Sequence, residues 1–159
     1  MIHEGHQRFM REAIELSRAN VREGKGGPFA ALVVHGHTII ARGTNLVTST
    51  NDPTAHAEIV AIREACRHLS SFQLAGCDFY TTCEPCPMCL GAIYWARPRA
   101  LYYANTQDDA AGIGFDDRFI YDEFLLPHEG RKIPMIQVLR DEALVAFREW
   151  TEKSDKISY

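Results

Sequence analysis

The sequence predicts an α/β fold: a three-layer α/β/α sandwich with a mixed central sheet, built as a single domain over residues 1–159. Short apolar runs alternate with segments of helical period, a hairpin leads them, and no Gly-, Pro- or Ser-rich stretch is long enough to link a second domain. A chain of 159 residues can bury about 70% of its unfolded surface, so one sizeable core is available. Hydrophobic residues make up 46% and charged residues 24%, which excludes a disordered chain, a fibre or a repeat array.

The elements follow in order. Phe9, Ala13, Ile14, Leu16 and Val21 form an imperfect helical stripe from His6 to Val21, closed by Gly24 and the Gly26-Gly27-Pro28 break. Two apolar runs, Phe29 to Val34 and Thr38 to Ala41, flank His35-Gly36-His37 and read as a hairpin of two central strands. A polar loop from Gly43 to Asp52 leads into a helix with Pro53 in its first turn and its end near Ala65. Asp78 to Thr82 is a strand, Pro85-Cys86-Pro87 opens a helix that Arg97-Pro98 stops, and Ala100 to Ala104 is another strand. Beyond these come a loop from Asn105 to Gly114, a helix from Asp117 to Leu126, a strand at Ile133 to Val138 and a last helix. In that helix Leu139, Ala143, Phe147 and Trp150 share a face, which must pack on the chain's own core or on a partner.

Charge and targeting narrow the partners. The net charge is −4 with 17 Lys and Arg, which argues against a nucleic-acid binder and favours a small ligand. No run approaches the ~20 apolar residues of a membrane helix, and residues 1–6 lack a signal peptide's basic and apolar regions, so a cytoplasmic protein without a membrane partner is expected. Five cysteines in a reducing compartment are thiols or metal ligands rather than bridges, and all fall between Cys66 and Cys89.

His56-Ala57-Glu58 followed by Pro85-Cys86-Pro87-Met88-Cys89 is the strongest signal in the chain, the H-x-E and P-C-x-x-C pattern of zinc deaminases. Cys86 and Cys89, three apart at a helix start, can present both sulfurs to one ion, and His56 supplies a third ligand from another helix start. Three protein ligands leave the fourth tetrahedral position of one Zn²⁺ per chain open to water, as catalytic zinc requires. Glu58 is the candidate catalytic proton carrier. Residues two apart on a regular helix do not share a face, so this reading needs His56 at the helix edge, where the backbone is not yet regular.

Other readings of these residues stand beside it. Glu58 alone would be a salt-bridged surface carboxylate, and the cysteine pair alone inert buried thiols. Cys83-x-x-Cys86-x-x-Cys89 also opens an iron–sulfur run, but the chain has no later cysteine to complete it. Cys66, Cys77 and Cys83 are read as packing residues, His35 and His37 as a solvated hairpin tip, and Asp108-Asp109 as a solvated loop pair. His6 shows no partner pattern, and Glu84 is either a surface group or a hydrogen-bonding support for the ligand segment.

The metal motifs resemble the cytidine deaminase superfamily over residues 6–104. The longer strings Asn51 to Glu58, Cys83 to Cys89, Ala92 to Pro98 and Gly114-Phe115-Asp116-Asp117, with the closing Tyr159, are similar to the bacterial guanine deaminases over nearly the whole chain. That resemblance implies hydrolysis of guanine to xanthine and ammonia, and a homodimer with exchanged carboxyl-terminal segments, here residues 139–159. It implies that Glu58 moves protons between water, guanine N3 and the leaving amine, and that Asp117 is a second catalytic acid, receiving the amino group. It also implies that Asn45 hydrogen-bonds the purine, that Phe29, Ala57 and Trp95 contact the ring, and that Tyr159 caps the pocket. Without it, Asp117 reads as a helix cap, Asn45 as a turn residue, Phe29 and Trp95 as core and Tyr159 as a frayed end. Ala30 stands where the family often has glycine, and its methyl is expected to tighten the pocket. A tRNA adenosine deaminase, a cytosine or cytidine deaminase and a zinc-stabilised binding protein remain the alternatives.

Overall fold

The computed structural model describes residues 4–159. Met1, Ile2 and His3, part of the segment read for a signal peptide, lie outside the described residues. The described chain forms two compact units, one ending at Asp117 and the other running from Arg118 to Tyr159.

The first unit is a mixed four-stranded sheet between helices. Its strands are β1 (Ala30–His35), β2 (Thr38–Thr44), β3 (Cys77–Cys83) and β4 (Ala100–Asn105), in the order β2-β1-β3-β4. β1 pairs antiparallel with both β2 and β3, and β3 pairs parallel with β4. The helices are α1 (Glu4–Arg22), a single turn α2 (Val47–Thr50), α3 (Ala57–Leu69), α4 (Pro87–Ala96) and α5 (Gln107–Gly112).

Strand alternation builds the three layers. Ala31 and Val33 of β1 and Cys77 and Phe79 of β3 point to one face, where Ala57, Ala61 and Ala65 of α3 and Ile93 and Ala96 of α4 cover them. Leu32, Val34 and Tyr80 point to the other, against Phe9 and Ala13 of α1. The small alanines of α3 let that helix lie close to the sheet. Nearest of all is Gly43 in β2, where a Cβ would stand 2.1 Å from the Ala57 carbonyl oxygen. All seven residues of β3 are buried, as expected of an interior strand covered on both faces. His6 has partners after all: its ring stacks on Tyr102 at 4.3 Å, and Nδ1 lies 2.7 Å from the Tyr80 hydroxyl.

Several expectations are corrected. β2 is an edge strand rather than a central one, because β1 pairs on its far side with β3. Gly43 and Thr44 belong to it rather than to a loop. Pro53 precedes α3 in a turn in which Asp52 accepts from the Thr54 backbone and hydroxyl, and the helix starts at Ala57. The segment after β4 contains α5, capped by reciprocal hydrogen bonds between Thr106 and Asp109, so Asp109 is a capping residue.

The second unit holds α6 (Arg118–Leu125), a 3₁₀ turn at His128–Gly130 and α7 (Arg140–Glu152). Ile133 to Val138 is irregular rather than a strand, since Pro134 has no N–H to give a ladder. No helix of the described residues is long and apolar enough to cross a membrane.

Candidate active site

Two helix amino-termini meet beside the carboxyl end of β3. His56 is the N-cap of α3, with φ −67° and ψ 155°, an extended backbone rather than a helical one. The irregular helix edge that the motif requires is therefore present. Cys86 is the N-cap of α4, with φ −65° and ψ 166°, and Pro87 follows in the first turn, where its missing N–H costs nothing. The Cys89 N–H donates to Cys86 Sγ at 3.5 Å, which closes the turn and brings the two sulfurs to one side.

His56 Nδ1 lies 3.6 Å from Cys86 Sγ and 3.6 Å from Cys89 Sγ, and the three ligand atoms all fall within 4.8 Å of one another. In a tetrahedral zinc site, bonds of about 2.3 Å to sulfur and about 2.0–2.1 Å to nitrogen place the nitrogen about 3.5–3.6 Å from each sulfur. The donor set fits Zn²⁺ in both chemistry and spacing, and it leaves one position for water. Among the described residues no other group of histidines, cysteines and carboxylates converges in this way. Cys83 is not part of it: its Sγ lies 3.5 Å from the Thr106 carbonyl oxygen, and burial pushes its thiol up to about 11. Burial also raises Cys66 and Cys77, so all three behave as protonated packing residues.

The two ligand cysteines differ. Hydrogen bonding from Cys89 and from His56 holds the Cys86 thiol down at about 4, against its burial, so the site favours a thiolate. Sharing that hydrogen bond with Cys86 drives Cys89 the other way. The same Cys86 contact raises His56.

Glu58, in the first turn of α3, is 5% exposed. Its Oε1 accepts a 2.9 Å hydrogen bond from Thr81 Oγ1 on β3. Burial raises its pKa above the ordinary carboxylate range, which suits a group that must hold a proton and give it up. Asp117 is half-buried, and burial followed by the nearby Cys86 charge raises it as well.

The other residues singled out in the sequence are placed unequally. Asn45 is buried just after β2. Its Oδ1 accepts from the Gly27 and Val47 N–H groups at 3.4 and 3.3 Å, which leaves the amide NH₂ to donate elsewhere. Phe29 is partly buried, and its ring meets Phe115 edge-on at 4.9 Å. Ala57 is fully buried, with its side chain in the core cluster. The Ala30 methyl shares the strand face of Leu32 and Val34, opposite α3. Trp95 is 63% exposed on α4, two residues beyond buried Ile93 and so on another side of the helix. Tyr159 ends the second unit and is exposed.

Some supporting residues gave no sequence motif. Thr81 is one. Asn20 of α1 donates to the Gly27 and Asn45 carbonyls at 3.0 and 2.9 Å, tying the loop that carries Asn45. A Cβ on Gly26 would stand 2.2 Å from the Asn45 carbonyl oxygen, so only glycine permits that approach. Glu84 accepts from the Gln107 N–H at 3.2 Å and so anchors the start of α5.

The fold and this site define a zinc deaminase domain: the chain belongs to the cytidine and deoxycytidylate deaminase zinc-binding family, whose model matches residues 3–105. The curated guanine deaminase of Bacillus subtilis is 53% identical over 154 residues, covering 97% of this chain and 99% of that one. The crystal structure of guanine deaminase from Bacillus subtilis superposes with a TM-score of 0.94 at 52% identity, covering 97% and 98% of the two chains. A tRNA-specific adenosine deaminase of Haemophilus influenzae is 34% identical over 122 residues, covering 77% of this chain and 70% of that one.

Proposed function

We propose that this chain is a zinc-dependent guanine deaminase, which hydrolyses guanine to xanthine and ammonia. The observation that carries this is the 53% identity to a guanine deaminase, spanning both compact units and not the zinc-binding region alone. The water oxygen becomes the carbonyl oxygen at guanine C2, and the C2–amine bond breaks as the nitrogen leaves protonated.

His56, Cys86 and Cys89 hold the zinc, supported by their converging ligand atoms. When bound there, zinc supplies Lewis acidity that makes water nucleophilic near neutral pH. Glu58 takes the first water proton and delivers it to guanine N3, then takes the proton left on the added hydroxyl and delivers it to the departing amine; its burial and raised pKa support both roles. Asp117 receives the exocyclic amino group. Asn45 donates from its amide NH₂ to an acceptor of the purine edge, a polar match that would be left unpaired by a wrong base. Phe29, braced by Phe115, forms an apolar wall against the ring.

The same reading assigns a cytoplasmic homodimer with residues 139–159 exchanged, Tyr159 acting as a cap. Support comes from the exposed apolar side chains of the second unit, among them Ile136, Val138, Leu139 and Phe147, which are more than an isolated surface needs. Ammonia release by zinc-loaded protein against guanine, guanosine, adenine, cytosine, cytidine and an adenosine-containing tRNA stem-loop tests the substrate. Selective turnover of guanine is expected; turnover of the stem-loop instead would make the chain a tRNA adenosine deaminase.

A further inference from the structure

Glu58 is not held by its own helix alone. The hydroxyl of Thr81, a fully buried residue of β3, donates to Glu58 Oε1 at 2.9 Å. A carboxylate within reach of a metal and a substrate can rotate about its last torsion, because that torsion is broad rather than staggered. A buried hydroxyl on an interior strand stops the rotation at one oxygen. Strand alternation makes Thr81 the residue that can do this: Phe79 and Thr81 face α3, whereas Thr82 faces the other way and accepts from the Ala30 N–H at 3.0 Å. β3 is buried on both faces, so the anchor is as rigid as the sheet.

We infer that Thr81 is a positioning residue for the proton carrier: it fixes Oε1 of Glu58 so that Oε2 is the oxygen that takes and returns the proton. The role rests on the proposed deaminase reading. The Thr81 hydroxyl donates to Glu58 and not to a zinc ligand. Its loss should therefore leave substrate binding and zinc affinity intact and slow the proton-transfer steps.

The test compares wild type, Thr81→Val and Thr81→Ser as zinc-loaded proteins. Val keeps the branched shape without the hydroxyl, and Ser keeps the hydroxyl. Thr81→Val is expected to lower kcat roughly tenfold to hundredfold with KM unchanged, to bind zinc at the wild-type ratio, and to show a rotated Glu58 carboxylate in its crystal structure. Thr81→Ser should recover most of kcat and keep the carboxylate in place. Thr81→Ala carries the expectations of the Val variant should that protein fold poorly. Unchanged kcat in the hydroxyl-less variants, a Ser variant as slow as Val, a Glu58 carboxylate that stays in place without the hydroxyl, or loss of zinc as the source of the defect would overturn the role. The ratios are measured on whichever amino-heterocycle the wild type turns over, so failure of guanine as substrate is read separately from failure of Thr81.

Discussion

Glu58 is 5% exposed, and a carboxylate at that depth loses hydration that its charged form needs, which is why its pKa rises. Glu58→Gln keeps the shape and the acceptor for Thr81 but removes the exchangeable proton. It should reduce turnover by about 10²–10⁴-fold while zinc stays near one per chain, as metal analysis of the assayed sample will check. Tyr80 makes a second prediction at this scale, remote from the chemistry. Burial pushes its phenol up to about 12 from 10.0, so the folded state favours the neutral form. The stability this contributes is fully present below about pH 10 and is lost as pH rises through about 12. Tyrosinate absorbance should show one phenol titrating late, and a normal titration of every tyrosine would refute the assignment.

At the scale of elements, the site depends on where two helices begin. Gly43 lets β2 approach the first turn of α3 so closely that a Cβ would meet the Ala57 carbonyl oxygen at 2.1 Å. Gly43→Ala should force that turn outward, costing about 1–3 kcal/mol in denaturant unfolding, and kcat should fall with it because His56 and Glu58 ride on the same turn. The metal ligands were legible in the sequence because their spacing is local: Cys86 and Cys89 are set by one helical turn, and His56 by a helix edge. β3 is legible at Asp78 to Thr82, where aromatic and β-branched residues follow a helix. Thr81 was not, since a hydroxyl in such a strand has no meaning until the helix across from it is known. The place of β2 in the sheet was equally hidden, because an apolar run does not say which neighbour it pairs with. Residues 133–138 are apolar enough to suggest a strand, but Pro134 breaks the ladder, and α5 is marked in the sequence only by Thr106 and Asp109 at capping spacing.

For the whole molecule, the family model ends at residue 105 while the likeness to a guanine deaminase continues over 97% of the chain. The second unit is therefore where this chain should differ from other deaminases of its family. Truncation from Ser154 onward should cut guanine turnover and leave the unfolding transition of the sheet in place; unchanged kinetics would refute Tyr159 as a cap. The sheet has its own two apolar layers, so the fold should persist when zinc is removed while the chemistry stops. The most direct measurement is guanine turnover before chelation, after zinc removal and after zinc is restored, with circular dichroism on each sample. Xanthine formation should vanish and return with the metal while the spectrum holds. Turnover that persists without zinc, or a protein that unfolds on chelation and never deaminates guanine when zinc is present, would contradict a zinc-dependent guanine deaminase.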